Sequence, residues 1–347
     1  MISKQFGGKI NSKWKDKYNK SPNWVDGSFQ NLMTTQTAVN WWKIPSILLK
    51  QIKGHEHGNP RSPLPIIKLN KEQFQEPSAS LKFVWYGHSV LLIRLNNRNI
   101  LIDPMLGDDT SPIAPTKTKR FSDNTLEIID DLPEIDLMLI THDHYDHLDY
   151  ASISKLRSKV RNTFAALGVK RHLVSWGYDE NKIEEFDWWD SKSFADIQIT
   201  FTPTRHFSGR GIFSLSKCLW GGWALKTSTE SIWFSGDSGY ADHFQEIGER
   251  LGPFDIGFME CGQYGAEWPQ IHMFPRESVQ AALDAKVKVA MPVHWAGFKL
   301  SYQHGWFEPV EEFVEYAKQI TLPYITPPLG EIFQDKFLST DWWQQYK

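Results

Sequence analysis

The sequence predicts a layered α/β fold, and three features carry that prediction. From Leu81 onward, short apolar runs of strand length alternate with helix-length segments. Four predicted strands, ending at Ile140, Thr202, Phe234 and Val293, lead into His142, His206, Asp237 and His294. One of them runs into Thr141-His142-Asp143-His144-Tyr145-Asp146-His147-Leu148-Asp149, which holds three His and three Asp in nine residues. In a layered α/β fold the loops at one sheet edge gather the chemistry, so these features belong together.

The length, 347 residues, is compatible with two domains or with one large α/β unit. Hydrophobic residues make up 41% of the chain, enough for a sizeable core. The net charge of −3 provides no general attraction to nucleic acid, so none is expected as a partner. The two cysteines, Cys218 and Cys261, imply no disulfide framework, and each reads as a small buried side chain. Met1 to Lys20 has no apolar stretch of signal-peptide length. No window approaches the ~18 apolar residues of a membrane span. A soluble, cytoplasmic protein is the expectation.

Residues 1–78 form an arm of different character from the body, residues 79–347. Lys4, Lys9, Lys13, Lys15, Lys17 and Lys20 face one acid, Asp16. The arm's Gly, Asn, Ser and Pro content predicts an extended segment wrapped on the body, with little regular structure. Within it, Val39 to Lys50 is short and amphipathic, and its Trp41-Trp42 pair with flanking Lys suits a lipid interface. Packing over the body is the plainer reading of the same segment. Gly58 to Pro65 is a Pro-rich connector.

In the body, strands are expected at Leu81–Tyr86 and Val90–Leu95, flanking Gly87-His88-Ser89. Asn96-Asn97-Arg98 is a hairpin turn, followed by a strand from Asn99 to Ile102. Asp103-Pro104 ends that strand, and Asp103 is placed to orient a metal-bound His through its second ring nitrogen. Met105 to Asp131 is long and irregular, as loops bordering a site often are. Ile135–Ile140 is a buried strand ahead of the His/Asp run. A helix at Ala151–Lys159, a strand at Thr163–Ala166 and a helix opening near Gly168–His172 follow. Phe194 to Thr202 alternates apolar and polar residues and reads as one half-buried strand. Gly209 and Gly211 lie in a loop and lack the context of a dinucleotide fingerprint. Trp220–Thr227 and Ser231–Phe234 pair around Ser228-Thr229-Glu230, and the second enters Ser235-Gly236-Asp237-Ser238-Gly239. The last elements are helices at Asp242–Leu251, Glu277–Ala285 and Pro309–Ile320, with strands at Asp255–Glu260 and Val287–Val293.

The His/Asp run carries the chemistry. His142, His144 and His147 offer imidazole nitrogens and Asp146 a carboxylate oxygen, the ligands that zinc and similar divalent ions accept. With 12 His in the chain, a His-x-His-x-Asp-His string arises by chance in about one chain in a thousand. Four ligands in six residues also exceed what one tetrahedral ion takes from a single loop. The spacing therefore suggests two ions, each needing ligands from farther along, and His206, Asp237 and His294 are the candidates.

Taken in order, these residues resemble the metallo-β-lactamase fold superfamily over roughly residues 80 to 310, with Leu-Ile-Asp103-Pro matching its first motif. Gly87-His88-Ser89, Thr202 to His206, Trp220 to Trp223, Phe234 to Tyr240 and Val293-His294-Trp295 resemble its N-acyl-phosphatidylethanolamine-hydrolysing phospholipase D branch. Asp26-Gly27-x-Phe29-x-Asn31 in the arm is similar to bacterial members of that branch. The resemblance implies an αββα four-layer sandwich with two divalent ions, zinc by preference and iron or manganese by the same ligand chemistry. It implies His142, His144 and His206 on one ion, Asp146, His147 and His294 on the other, and Asp237 between them. Asp103 and His88 stand behind these ligands. An active-site His of the branch aligns with His272, although Ile271 separates Gln270 from it where the branch has a Gln-His pair.

The reaction so implied is hydrolysis. A water between two cations loses a proton easily and attacks a phosphorus or a carbonyl carbon. Asp146 orients that water or takes its proton, and His272 assists the leaving group. The branch points to a lipid phosphodiester, with peripheral membrane contact through the arm. A lactonase of the ascorbate-6-phosphate type shares the Gly-His-Ser start, and an RNA-processing nuclease shares the fold. A non-catalytic metal-binding module is the reading from a different class.

Overall fold

The computed structural model describes residues 2–37, 44–78, 80–110, 118–211, 214–334 and 339–347. Two six-stranded sheets face each other. The first has spatial order β3-β4-β5-β6-β7-β8, with β3 Lys82–Trp85, β4 Leu91–Leu95, β5 Arg98–Ile102, β6 Leu137–Ile140, β7 Thr163–Ala166 and β8 Ile183–Phe186. The second has order β14-β13-β12-β11-β10-β9, with β9 Ser191–Phe194, β10 Ile197–Thr202, β11 Gly222–Lys226, β12 Ser231–Phe234, β13 Ile256–Glu260 and β14 Ala290–Val293. A hairpin of β1 Trp24–Val25 and β2 Ser28–Phe29 stands apart in the arm.

In each sheet one half is antiparallel and the other parallel. Strands β5, β6, β7 and β8 run parallel, as do β12, β13 and β14. Parallel strands end at the same sheet edge, and β6, β12, β13 and β14 are buried along their length, as expected where both faces are covered. Phe83 of the first sheet meets Phe258 of the second edge to face at 5.1 Å, and Phe186 meets Trp223 at 5.3 Å. Helices cover the outer faces. On one side are α5 Ile128–Asp131, α6 Tyr150–Leu156 and α7 Lys170–Ser175, with α7 against β8. On the other, α9 Pro275–Asp284 packs on β13 between α8 His243–Arg250 and α10 Glu308–Gln319. The result is an αββα sandwich.

Local chemistry explains the turns. Asn96 and Asn97 both have positive φ, 46° and 58°, and join Leu95 to the paired Arg98. Such a two-residue turn matches strand twist, and Asn tolerates the left-handed region. The stretch Phe194–Thr202, expected as one strand, is a correction. It breaks at Ala195 (φ 50°), where β9 folds back on β10 so that Phe194 pairs with Ile197. Only Ile197, Ile199 and Phe201 carry the alternation, and no Gly or Asn marks the turn.

The arm is also more regular than expected. It contains α1 Ile2–Gln5, α2 Ser12–Tyr18, α3 Ile44–Lys53 and α4 Lys71–Gln75. The Asn11 side chain accepts the Trp14 N–H at the start of α2, and Asn70 accepts the Gln73 N–H at the start of α4. Helix α2 is anchored by burying Trp14 and Tyr18. The Trp41-Trp42 pair lies outside the described residues.

Candidate metal centre

The ends of five strands converge on one edge of the sandwich. Beyond β6 lie His142, His144, Asp146 and His147; beyond β10, His206; beyond β12, Asp237; beyond β14, His294; and Asp103 follows β5. Sharp backbone turns aim several of these side chains. Asp103, His88 and His294 all have positive φ, at 40°, 53° and 68°. Non-glycine residues in that region cost about 1–3 kcal/mol each and concentrate at functional sites. Gly236, with φ 68°, opens the turn to Asp237, and a Cβ there would lie 2.4 Å from the Gly221 carbonyl oxygen. No other residue fits that approach.

Two groups of donor atoms face each other. In the first, His144 Nδ1 is 2.9 Å from His142 Nε2 and 3.2 Å from His206 Nε2. In the second, His147 Nε2 is 3.3 Å from His294 Nε2, and Asp146 Oδ2 is 3.5 Å from each of those nitrogens. Asp237 Oδ2 sits between the groups, 3.1 Å from His147 and His294 and 3.9 Å from His142 and His206. All seven residues predicted from the sequence as ligands are brought together.

The hydrogen bonds behind the rings assign their tautomers. Thr141 donates its hydroxyl to Asp103, 2.6 Å away, so His142 Nδ1–H donates to Thr141 Oγ1 at 2.9 Å. His147 Nδ1–H donates to Asp103 Oδ2 at 2.8 Å, and His206 Nδ1–H to the Ile271 carbonyl at 2.8 Å. In the neutral rings each Nε2 is then a bare acceptor, and these acceptors point at one another. Acceptors cannot hydrogen-bond to acceptors. Among the described residues, Asp237 Oδ1 is buried without a hydrogen-bond partner as well. Convergent lone pairs and carboxylate oxygens fit cations, and outer partners such as Asp103 and Ile271 fix ligand tautomers in the manner of metal sites.

The electrostatics agree. Burial pushes His142 and His206 well below the ordinary imidazole value. Burial acts the same way on His147 and His294, but Asp237 and Asp146 overcome it and raise both, His294 to about 10. Burial would raise Asp237, yet His147 and His294 hold it well below the carboxylate range. Protons thus stand in for the positive charge that the carboxylates demand.

His88, expected behind the ligands, places Nε2 3.0 Å from Asp146 Oδ2 and lies over His294 with ring centroids 4.1 Å apart. A ring nitrogen of His272 lies within 4.8 Å of Asp237 and His206 ligand atoms. His272 Nδ1 is 2.6 Å from Oε1 of Glu260, a fully buried carboxylate at the end of β13. No motif in the sequence marks Glu260. The available signal was position, since β13 ends at the same edge as β12 and β14.

Nor does the sequence set Asp143 apart. It faces away from the centre into a buried network. Its Oδ2 is 3.2 Å from both His172 Nε2 and Cys218 Sγ, and its Oδ1 accepts the Gly209 N–H. Asp143, His172 and Cys218 have a spacing that would suit a metal ion. The Gly8 N–H donates to His172 Nδ1, however, so Nε2 carries the ring proton, and the Arg171 guanidinium donates to Cys218 Sγ at 3.1 Å. A ring without a free lone pair beside a fixed cation is a poor cation site. The network instead fastens the ligand loop. Arg210 donates to the carbonyls of Asp143 and Leu148 within the loop and to Gln5 of α1. Asn31 of the arm makes a two-point contact with His206, taking its N–H and donating to its carbonyl.

Comparison with known proteins bears on the family and the fold. The family described as the Beta-lactamase superfamily domain matches residues 98–295, over half of the chain. An uncharacterized protein of Mycobacterium tuberculosis is 34% identical over 317 residues, which span 90% of this chain and 84% of that one. The N-acyl-phosphatidylethanolamine-hydrolyzing phospholipase D 1 of Caenorhabditis elegans is 28% identical over 289 residues, spanning 79% of this chain and 81% of that one. Among solved structures, Igni18, a metallo hydrolase from the archaeon Ignicoccus hospitalis, superposes with a TM-score of 0.58 at 19% identity. That match covers 75% of this chain and all of the archaeal one, and it speaks for the fold.

Proposed function

The chain belongs to the metallo-β-lactamase superfamily, and from that premise we propose that it is a dinuclear metal-dependent phosphodiesterase acting on a lipid phosphodiester. One observation carries the reading: two groups of ring nitrogens and carboxylate oxygens meet across a shared carboxylate, Asp237 Oδ2, 3.1 to 3.9 Å from four imidazoles. His142, His144 and His206 would hold one divalent ion, and Asp146, His147 and His294 the other, with Asp237 between. Mixed imidazole and carboxylate ligands suit zinc, with iron or manganese accommodated by the same donors. Such ions, when bound, lower the pKa of water and offset negative charge on a phosphate.

The protein's own groups do the rest. Asp146 lies beside both imidazoles of the second group, and its side chain is 15% exposed, so it can receive a proton from an attacking water. His272, packed against His206 and His294, reaches the same space and can deliver a proton to the departing oxygen. Asp103 and the Ile271 carbonyl keep two rings in the tautomer that leaves Nε2 free.

The substrate class rests on the Caenorhabditis elegans relative, whose name gives N-acyl-phosphatidylethanolamine as its substrate. Two exposed leucines are consistent with contact at a lipid surface. Leu49 on α3 is 69% exposed and Leu32 is 54% exposed. Among the described residues, no helix is long and apolar enough to cross a membrane. The deciding experiment assays the zinc-loaded protein against matched panels of lipid phosphodiesters and sugar-phosphate lactones. Turnover confined to the phosphodiesters supports the reading. Turnover confined to the lactones, or metal loading without hydrolysis in either panel, overturns it.

A further inference from the structure

We propose that Glu260 is a positioning residue that holds His272 in the Nδ1–H tautomer and leaves Nε2 free to carry the leaving-group proton. The proposal rests on the phosphodiesterase reading for its chemistry and on the geometry at the end of β13 for its substance.

Glu260 is the last residue of a strand buried along its whole length. Both of its oxygens are engaged. Oε1 is 2.6 Å from His272 Nδ1, and Oε2 accepts the N–H groups of Ser238, at 3.2 Å, and Met273, at 3.4 Å. A carboxylate flanked by backbone donors on one side needs a donor on the other, so His272 presents Nδ1–H to it. Nε2 is then the ring nitrogen left for the site. The His272 ring stands between two ligand imidazoles, 5.0 Å from His206 and 5.4 Å from His294 by ring centroids. The carboxylate thus does for His272 what Asp103 does for His147, but on a ring that lies beyond the two donor groups.

The consequence is a defined proton route. When water attacks phosphorus, the bond from phosphorus to the leaving oxygen breaks. Over one turnover His272 Nε2, bare in the Nδ1–H tautomer, takes up the proton that the attacking water loses and gives it to the leaving oxygen, so the ring ends as it began. Without a carboxylate at 260 the ring loses its orientation and its preferred tautomer.

Glu260→Gln tests this sharply. The Gln carbonyl oxygen can satisfy the Ser238 and Met273 N–H groups, which turns its NH₂ toward His272 Nδ1. That geometry forces the proton onto Nε2 in a neutral ring, which is a very weak acid. The experiment uses the zinc-loaded full chain as wild type, Glu260→Gln, His272→Ala and the double variant. Metal content is measured throughout. Each protein is assayed on bis(p-nitrophenyl) phosphate, whose leaving group departs without protonation, and on a phosphodiester with an alkyl leaving group. General acid catalysis contributes on the order of 10²- to 10⁴-fold. We expect Glu260→Gln to lower kcat by about 100-fold on the alkyl ester and by less than about tenfold on the nitrophenyl ester. The double variant should be no slower than His272→Ala alone. Equal losses on both substrates, loss of metal, or additive losses in the double variant would mean that Glu260 acts only as a scaffold, and the proposal fails.

A readout independent of turnover accompanies the rates. In protein labelled with ¹⁵N-histidine, long-range ¹H–¹⁵N spectra should show His272 protonated at Nδ1 in the wild type and at Nε2 in Glu260→Gln, with assignment by His272→Ala. A wild-type ring bare at Nδ1 overturns the proposal. These spectra decide the proposal even if neither phosphodiester is turned over, an outcome that counts against the phosphodiesterase reading instead.

Discussion

At the scale of single residues, the centre depends on which nitrogen of each imidazole carries the proton. Asp103 settles that for His147 directly and for His142 through Thr141. Asp103→Asn exchanges one acceptor oxygen for an amide donor and should weaken metal affinity by about 10- to 100-fold while leaving the protein folded. Competition with a zinc-binding dye measures it, and unchanged affinity would count against the tautomer argument. Asp237→Ala removes the carboxylate common to both donor groups. Turnover should then fall by on the order of 10³-fold, with fewer ions retained per chain. Elemental analysis beside the rate assay checks both, and a variant that kept its ions and a near-normal rate would remove Asp237 from the ligand set. His142, His144, Asp146 and His147 were legible because ligand spacing is compressed into one turn. Glu260 was not, since a lone acid at a strand end looks like any other until its neighbours in space are known.

At the scale of elements, the loop after β6 is held from behind. Arg210 is 2% exposed, and its guanidinium bridges Asp143 and Leu148 to Gln5, under the rings of Tyr145 and Trp176. Arg210→Met keeps bulk but leaves two buried carbonyl oxygens, of Asp143 and Leu148, and the half-buried one of Gln5 without this donor. Each unsatisfied buried acceptor costs about 1–3 kcal/mol, so a loss of at least ~2 kcal/mol is expected. A denaturant titration should show a lower midpoint, accompanied by weaker metal retention because the ligand loop loses its support. A midpoint within error of wild type would mean that the loop does not depend on this bridge. The hairpin of β9 and β10 shows the limit of pattern reading at this scale. Alternation in Phe194–Thr202 is genuine for β10, but a turn at Ala195 carries no compositional mark. The short arm helices escaped notice for a related reason, since Asn11 and Asn70 are caps only if the following turn finds apolar partners.

At the scale of the whole molecule, many histidines are buried in the neutral state. Burial lowers His172 and His243 to about 3 and His304 to about 4. The unfolded chain takes up protons on these rings below about pH 6.5 while the folded chain does not, so stability falls as pH drops from there toward their folded values. Each ring contributes up to about 1.4 kcal/mol per pH unit in that window. His294 has the opposite sense. Raised to about 10, its contribution is fully present below about 6.5 and is lost as pH climbs through 10. It therefore adds nothing to the acid slope. Metal-free protein should lose stability between pH 6.5 and about 4, read as a falling urea midpoint. A flat midpoint across that interval would mean that the rings are accessible and charged in the folded state.

The sequence by itself determined the fold class and the order of most strands and helices, and it named the seven residues that the fold gathers at one sheet edge. Apolar periodicity and a dense ligand turn are local properties, and they survive without coordinates. Only the tertiary structure decided which nitrogen each imidazole presents, where Glu260 and Asp143 point, and how the arm grips His206 through Asn31. Those facts depend on neighbours up to 175 positions apart in the chain, and no local pattern encodes a contact whose two halves meet only when the sheets are packed.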